Sequence, residues 1–393
     1  MNPESYRNIQ VRFNQLFTGN SILVRSPGRI NLIGEHTDYN YGFVLPAAID
    51  KEIVFCMGVS GSNSCNLYSQ DLQQDCSFEL DQLSRSPLNW ANYLIGVILQ
   101  LQEKGYQVPG FNCVFGGDIP LGAGMSSSAA LECGLAYGLD LIAGLGLSRI
   151  EIARLSQAAE NQFVGMQCGL MDQYANMFGQ ERHLILMDCR DQTHQTIPVD
   201  LKNFGLWLFN SKVTHEHSSS EYNVRRQECE AGVRIIQASY PMVKSLRDCN
   251  LSMLSSIDDS VIRGRCRFVI EENLRVTEGS EDLRSGALKA FGEKMYLSHQ
   301  GLSKQYQVSC PELDLLVDYT RDQETVLGAR MMGGGFGGCT INLIRKDAAD
   351  SLISGFCRQY HKDTGREMEA YPVKVADGTS PVSIEELTRN LDQ

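Results

Sequence analysis

Apolar and polar positions follow two rhythms along this chain. Short runs at Ile22–Arg25, Lys51–Met57 and Phe111–Phe115 are rich in β-branched and aromatic residues and predict strands. Asn89–Gln102, NWANYLIGVILQLQ, repeats its apolar residues with a helical period, and Arg149–Phe163 does the same. Ser148 and Glu151 form an S-x-x-E capping box at the start of the second helix, where they satisfy free N–H groups. LILM at Leu184–Met187 and LWLFN at Leu206–Asn210 predict short buried strands. The polar stretch between them sets a soft boundary near residue 195 and divides the chain into 1–195 and 196–393. The second half predicts helices over Val224–Ala238 and Val261–Val276, and one near Glu312–Tyr319. Strands and helices occur in both halves, so the fold class is α/β (α+β). No repeat or low-complexity tract interrupts the pattern.

Composition narrows the function. With 393 residues, 42% of them hydrophobic, the chain can fill two cores. A net charge of -12 argues against non-specific nucleic-acid binding, although a local site can still oppose the global charge and hold an anion. Thirteen cysteines occur without a CxxC, which removes zinc-ribbon spacing and suits buried thiols in a reducing compartment. The N-terminus is polar and has no apolar signal core. Ala129–Leu147, the most apolar long stretch, carries Glu132 and Asp140, so it reads as a buried helix rather than a membrane span. The expectation is a soluble cytoplasmic protein with neither nucleic-acid nor membrane partners, monomeric or weakly dimeric.

Five stretches carry candidate chemistry. Ser26–Asp50, SPGRINLIGEHTDYNYGFVLPAAID, packs Arg29, Glu35, His36 and Asp38 among turn formers. Two carboxylates and an imidazole around a turn suit a neutral polyol, and the plain alternative is a solvated turn with a local ion pair. PLGAGMSSSAALECG, Pro120–Gly134, sets Gly122 and Gly124 before Ser126, Ser127 and Ser128 at the start of an apolar helix. A fixed helix N-terminus suits phosphate, and a serine there can ligate Mg²⁺; a simple helix cap is the alternative. The chain has no Gly-Lys pair and hence no Walker-type loop. Glu160 and Asp172 lie in ENQFVGMQCGLMDQYANMFG, and their value depends on being aimed at the serine turn. MMGGGFGGCT, Met331–Thr340, holds five glycines in six positions, and strand-like residues follow it, the reverse of a Rossmann fingerprint. It suits a backbone pressed against a ligand or another loop, or else a flexible surface loop. In HEHSSSEYNVRRQ, His215 and His217 are two residues apart, which does not put them on one helical face for a metal, and Tyr222 offers a hydroxyl or a half-buried ring.

PGRINLIGEHTDYN resembles the signature of the galactokinase branch of the GHMP kinases. PLGAGMSSSAA and MMGGGFGGCTI resemble the second and third motifs of the whole superfamily, in its order and near its spacing. The resemblance implies a two-lobed fold, with an N-terminal lobe like ribosomal S5 domain 2 and a ferredoxin-like C-terminal lobe. It implies ATP-dependent phosphorylation of α-D-galactose at its 1-hydroxyl, the entry to the Leloir pathway, with galactose and ATP as substrates and Mg²⁺ as cofactor. By position it puts Glu35, His36, Thr37, Asp38 and Tyr222 at the sugar, and Arg29 and Asp172 at the catalytic pair. Gly122, Ala123, Gly124, Met125, Ser126, Ser127 and Ser128 fall on the triphosphate loop, Trp90 near the adenine, and Ser128 and Glu160 on Mg²⁺. Met125 departs from the leucine that relatives often carry, a volume-conserving exchange.

The resemblance also implies a mechanism in which Asp172 accepts or orients the sugar O1 proton and Arg29 supports it. Two rival readings share these motifs. An N-acetylgalactosamine kinase is disfavoured by Thr37, where such relatives tend to be apolar. A non-catalytic galactose sensor that acts on transcription is disfavoured by the complete SSSAA run, since such proteins have lost a Ser-Ala pair there.

Overall fold

The computed structural model describes residues 1, 3–120, 122–213 and 218–383. His215 and His217 lie outside the described residues. Among the described residues thirteen strands form three sheets. The largest contains β1 (Ile22–Asn31), β3 (Pro46–Val59), β4 (Ser64–Ser69), β5 (Gln74–Glu79), β6 (Phe111–Gly117) and β13 (Ser380–Pro381), in the order β13-β1-β3-β6-β4-β5. A small sheet joins β2 (Phe43–Val44), β7 (His183–Asp188) and β8 (Thr193–Pro198). The last sheet holds β9 (Phe204–Asn210), β10 (Val326–Met331), β11 (Cys339–Arg345) and β12 (Glu369–Val373), in the order β10-β11-β9-β12. Residue 195 falls inside β8, which is paired with β7, and the chain enters the last sheet only at Phe204. β13 then returns from the C-terminal end to pair with β1.

Helices cover the first sheet on both faces. α1 (Pro3–Leu16) lies on one side, and α2 (Asn89–Glu103), α3 (Ser127–Ala143), α4 (Arg149–Ala158) and α5 (Met171–Phe178) lie on the other. This explains why β6 is buried along nearly its whole length, while the edge pair β4–β5 alternates. α3 is buried on nearly every side, as its composition requires. α4 starts with the expected capping box, but regular helix ends at Ala158. Ala159–Val164 is a π-turn, so the helix read through Phe163 changes pitch at Glu160.

The second half supplies α6 (Ser218–Ser239), α7 (Ser260–Arg284), α8 (Leu288–Gly301), α9 (Pro311–Arg321) and α10 (Ala349–Thr364). Arg263, Arg265 and Arg267 read most simply as a solvated face of α7, and for Arg265 this is corrected. Arg265 is buried and donates to Glu228 Oε2 (3.0 Å) and Gln307 Oε1 (2.7 Å). The same helix also reaches the loop after β1: Glu272 Oε1 accepts from the Gly34 N–H (2.8 Å), and Asn273 Oδ1 accepts from the Phe43 N–H (2.8 Å). The segment around α7, which carries no motif, therefore fixes the turn after β1 from behind.

Candidate active site

All five stretches, distant in sequence, meet in one cleft of about 280 Å³. The meeting begins at an irregularity in β1. Its pairing with β3 shifts register between Pro27 and Arg29. A side chain at Gly28 would meet the Met125 carbonyl at 2.8 Å, so glycine lets the serine loop lie on the strand. Arg29 then donates its backbone N–H to Met125 O (3.0 Å) and its guanidinium to Gly124 O (2.5 Å). The guanidinium also grips Asp172 at the start of α5, Nε to Oδ1 at 2.8 Å and Nη2 to Oδ2 at 3.0 Å. Two parallel bonds fix the carboxylate in direction as well as distance.

Ser126 completes this junction. It holds φ 57 at the N-cap of α3 and makes no side-chain cap. Its hydroxyl donates instead to Asp172 Oδ2. The serine turn is thus more than a cap, and Asp172 touches it directly. The glycine segment lies behind it: Gly333, at φ +84, has the position of its missing Cβ 3.4 Å from Gly124 O. Loop pressed on loop is the arrangement expected for MMGGGFGGCT.

The turn after β1 forms the other wall. Glu35 Oε1 accepts from Arg330 Nη2 (2.9 Å) and from the Gly333 N–H (2.7 Å). His36, at φ 62, shares a 2.9 Å hydrogen bond between Nδ1 and the Tyr39 hydroxyl. Its ring lies 5.1 Å from that of Tyr222 and 5.0 Å from that of Tyr306. Its Nε2 is buried without a partner among the described residues. Burial, helped by the Arg225 and Arg330 charges, pushes the imidazole down to about 3, so it is neutral at any working pH. Burial, and then the Asp172 charge, push Asp38 up to about 7.

Ser128 and Glu160 line the same cleft and lie within hydrogen-bonding reach of each other. Burial, followed by the charge of Asp172, pushes Glu160 up to about 7. A hydroxyl and a buried carboxylate facing a helix N-terminus form an oxygen donor set that fits a hard divalent cation.

Two predicted site residues are not brought to the cleft. Thr37 is sealed inside its turn, its hydroxyl bonded to Gly34 O (2.8 Å) and Phe43 O (2.6 Å). It shapes the turn rather than lining the cavity. Trp90 packs edge-on against Phe115 and donates to Gln74 Oε1 (2.9 Å), and Tyr93, one turn further along α2, lines the cavity instead. The sequence points to no site role for Arg330 or Glu132. The signals it does carry are a lone cation in the apolar strand LGARMM and an acid in the apolar α3, four residues after Ser128 and eight before Asp140.

Comparisons with known proteins give the family. Residues 11–59 match the galactokinase galactose-binding signature, 92–180 the GHMP kinases N-terminal domain, and 280–362 the GHMP kinases C-terminal domain. A galactokinase from a Roseiflexus species is 39% identical over 92% of this chain and 93% of its own. The chain belongs to the galactokinase family. The structure of Lactococcus lactis galactokinase complexed with galactose superposes with a TM-score of 0.92 at 31% identity, covering 96% of this chain and 99% of that one. Methanococcus jannaschii mevalonate kinase, at 17% identity and a TM-score of 0.66, shares the fold. The two-lobed GHMP fold and kinase activity with ATP as co-substrate follow from family membership. All thirteen cysteines are free thiols, and among the described residues no helix is long and apolar enough to cross a membrane.

Proposed function

We propose that this chain transfers the γ-phosphoryl group of ATP to the anomeric hydroxyl of α-D-galactose, giving α-D-galactose 1-phosphate and ADP. The observation that carries the reading is the Arg29–Asp172–Ser126 junction, which ties the sugar-side strand to the phosphate-side loop within hydrogen-bond distances. Glu35, His36, Asp38 and Tyr222 would hold the sugar hydroxyls; all four line the cleft. Residues Gly122–Ser128 and the N-terminus of α3, with a partial charge of about +0.5, would hold the β- and γ-phosphates.

In this reading O1 bonds to the γ-phosphorus as the bond to the bridging oxygen of ADP breaks, and the O1 proton passes to Asp172 and then to solvent. Three donors on the Asp172 carboxylate make it a strong orienting group. Proton transfer late in a loose transition state suits that arrangement. Ser128 and Glu160 would hold Mg²⁺, which supplies charge neutralisation on the phosphate oxygens when bound. Both substrate loops and Asp172 come from one chain, which suits a monomer or weak homodimer, and the thirteen free thiols suit the reducing cytoplasm.

A coupled ADP-release assay with galactose, N-acetylgalactosamine and talose in parallel tests the assignment. Galactose should give the highest kcat/KM. Preference for the 2-acetamido sugar would overturn the substrate, and binding of ATP and galactose without ADP release would overturn the activity in favour of a sensor.

Asp38 gives a pH expectation. Its folded-state value of about 7 exceeds that of an unfolded aspartate, so keeping it charged costs stability as pH rises through 7, and below about 4 that cost is absent. The ionised form accepts sugar hydroxyls more strongly than the neutral acid. In the free enzyme kcat/KM for galactose should therefore rise through a limb near pH 7, and Asp38→Asn should remove that limb. A profile unchanged by the substitution would discount Asp38 as the titrating group.

A further inference from the structure

Two buried acids beside the phosphate loop lack the cation that Asp172 finds in Arg29 and Glu35 in Arg330. Glu132 has no exposed surface and Glu160 has 3%. Among the described residues no lysine or arginine forms an ion pair with either. Glu132 follows Ser128 by four residues on α3, so the two share a helix face. Glu160 sits in the π-turn opposite. Between them stands Gln173, the neighbour of Asp172 on α5, itself fully buried. Its Nε2 donates to Glu132 Oε2 at 3.1 Å and to Glu160 Oε2 at 2.9 Å. Glu132 Oε1 and Gln173 Oε1 have no partner among the described residues.

Burying two carboxylates around one neutral amide is destabilising by itself. An apolar helix such as α3 could fill position 132 with leucine at no cost in packing. The acid makes sense if a positive charge arrives nearby. Ser128 and Glu160 line the cleft, whereas Glu132 and Gln173 stand behind its wall. Glu132 is therefore placed to act through the amide rather than at the cleft surface.

We propose that Glu132 is a positioning residue of the divalent-cation site: through Gln173 it fixes the Glu160 carboxylate beside Ser128 and adds a second negative charge outside the ion's coordination sphere. The proposal rests on the reading that Ser128 and Glu160 hold the cation. Outer-shell partners of this kind change metal affinity about 10- to 100-fold when removed.

The test is ADP affinity of the full chain, measured by calorimetry with Mg²⁺ and again with EDTA. The ratio of the two affinities isolates the metal's contribution. Glu132→Gln keeps the shape and removes the charge, and should lower the ratio about 10-fold or more while metal-free ADP affinity and galactose affinity hold. Glu132→Asp, which keeps the charge on a shorter arm, should restore part of it. Gln173→Met, which breaks the relay and leaves Glu132 in place, should lower the ratio as well, and it serves if Glu132→Gln does not fold. A parallel fall in galactose affinity, metal-free ADP affinity and the ratio would reduce Glu132 to a packing role and overturn the proposal. Glu160→Gln separates the two layers of the argument. If it abolishes the ratio while Glu132→Gln leaves it intact, only this proposal fails; if Glu160→Gln also leaves it intact, the cation site itself lies elsewhere.

Discussion

Replacing Asp172 with asparagine should lower kcat by about 10³-fold or more while galactose binds with nearly unchanged affinity. Asparagine matches aspartate in shape, so the cleft keeps its outline. What disappears is the charge that receives two guanidinium bonds and the Ser126 hydroxyl. Arg29 is left 4% exposed, yet Glu35 and Asp38 still act on it electrostatically, so the variant should fold. Single-turnover kinetics measure the chemical step, and galactose titration by calorimetry measures the ground state. A variant with kcat near wild type would remove Asp172 from the chemistry. Arg29→Ala should cost on the order of 10²-fold in kcat. If only KM rises, Arg29 merely binds. The two side chains act as one unit, so the double variant should lose much less than the product of the single losses.

The sequence carries the Arg29–Asp172 pair only in part. Spacing and glycine content mark the three loops because glycine runs stand out in the sequence even where the backbone they make room for lies far along the chain: Gly28 meets Met125 O and Gly333 meets Gly124 O, while Gly122 and Gly124 take positive φ in their own turn. The strands and the capped α4 were equally legible, since apolar period and cap chemistry act within a few residues. Thr37 illustrates the limit. Its place between His36 and Asp38 suggests a sugar contact, yet the turn directs its hydroxyl to two carbonyls of its own loop. Ser126 illustrates the converse, because only its left-handed backbone, invisible in the sequence, turns its hydroxyl toward Asp172. The π-turn at Glu160 preserves a helical apolar pattern while shifting pitch, so periodicity passes over it. Arg265 and Arg330 were misread or missed for one reason: each is buried by partners from elsewhere in the fold, Glu228 lying 37 residues away and Glu35 lying 295 away.

Arg330 has the largest expected effect on stability. It is wholly buried in β10, and it joins the second half of the chain to the turn after β1 in the first. Nε donates to Leu32 O (2.8 Å), Nη1 to Met331 O (2.8 Å), and Nη2 to Asn31 O and to Glu35 Oε1 (2.9 Å). Arg330→Ala removes these bonds, opens a cavity and leaves the Glu35 carboxylate buried with the Gly333 N–H at 2.7 Å as its remaining donor of this set. Breaking a buried pair from one side costs about 3–5 kcal/mol, a large share of a typical folding free energy. The melting temperature should fall by roughly 4–6 °C in calorimetry, and galactose affinity should fall too because Glu35 lines the cleft. Adding Glu35→Gln to Arg330→Met separates the two losses. Neutralising both partners and refilling the volume should recover most of the stability, since the desolvated charge is gone. It should leave galactose binding weak, since the carboxylate that would accept the sugar hydroxyl is also gone. If Arg330→Ala melts like the wild type, the guanidinium does not latch the two halves together; if the double variant binds galactose normally, Glu35 serves the latch alone.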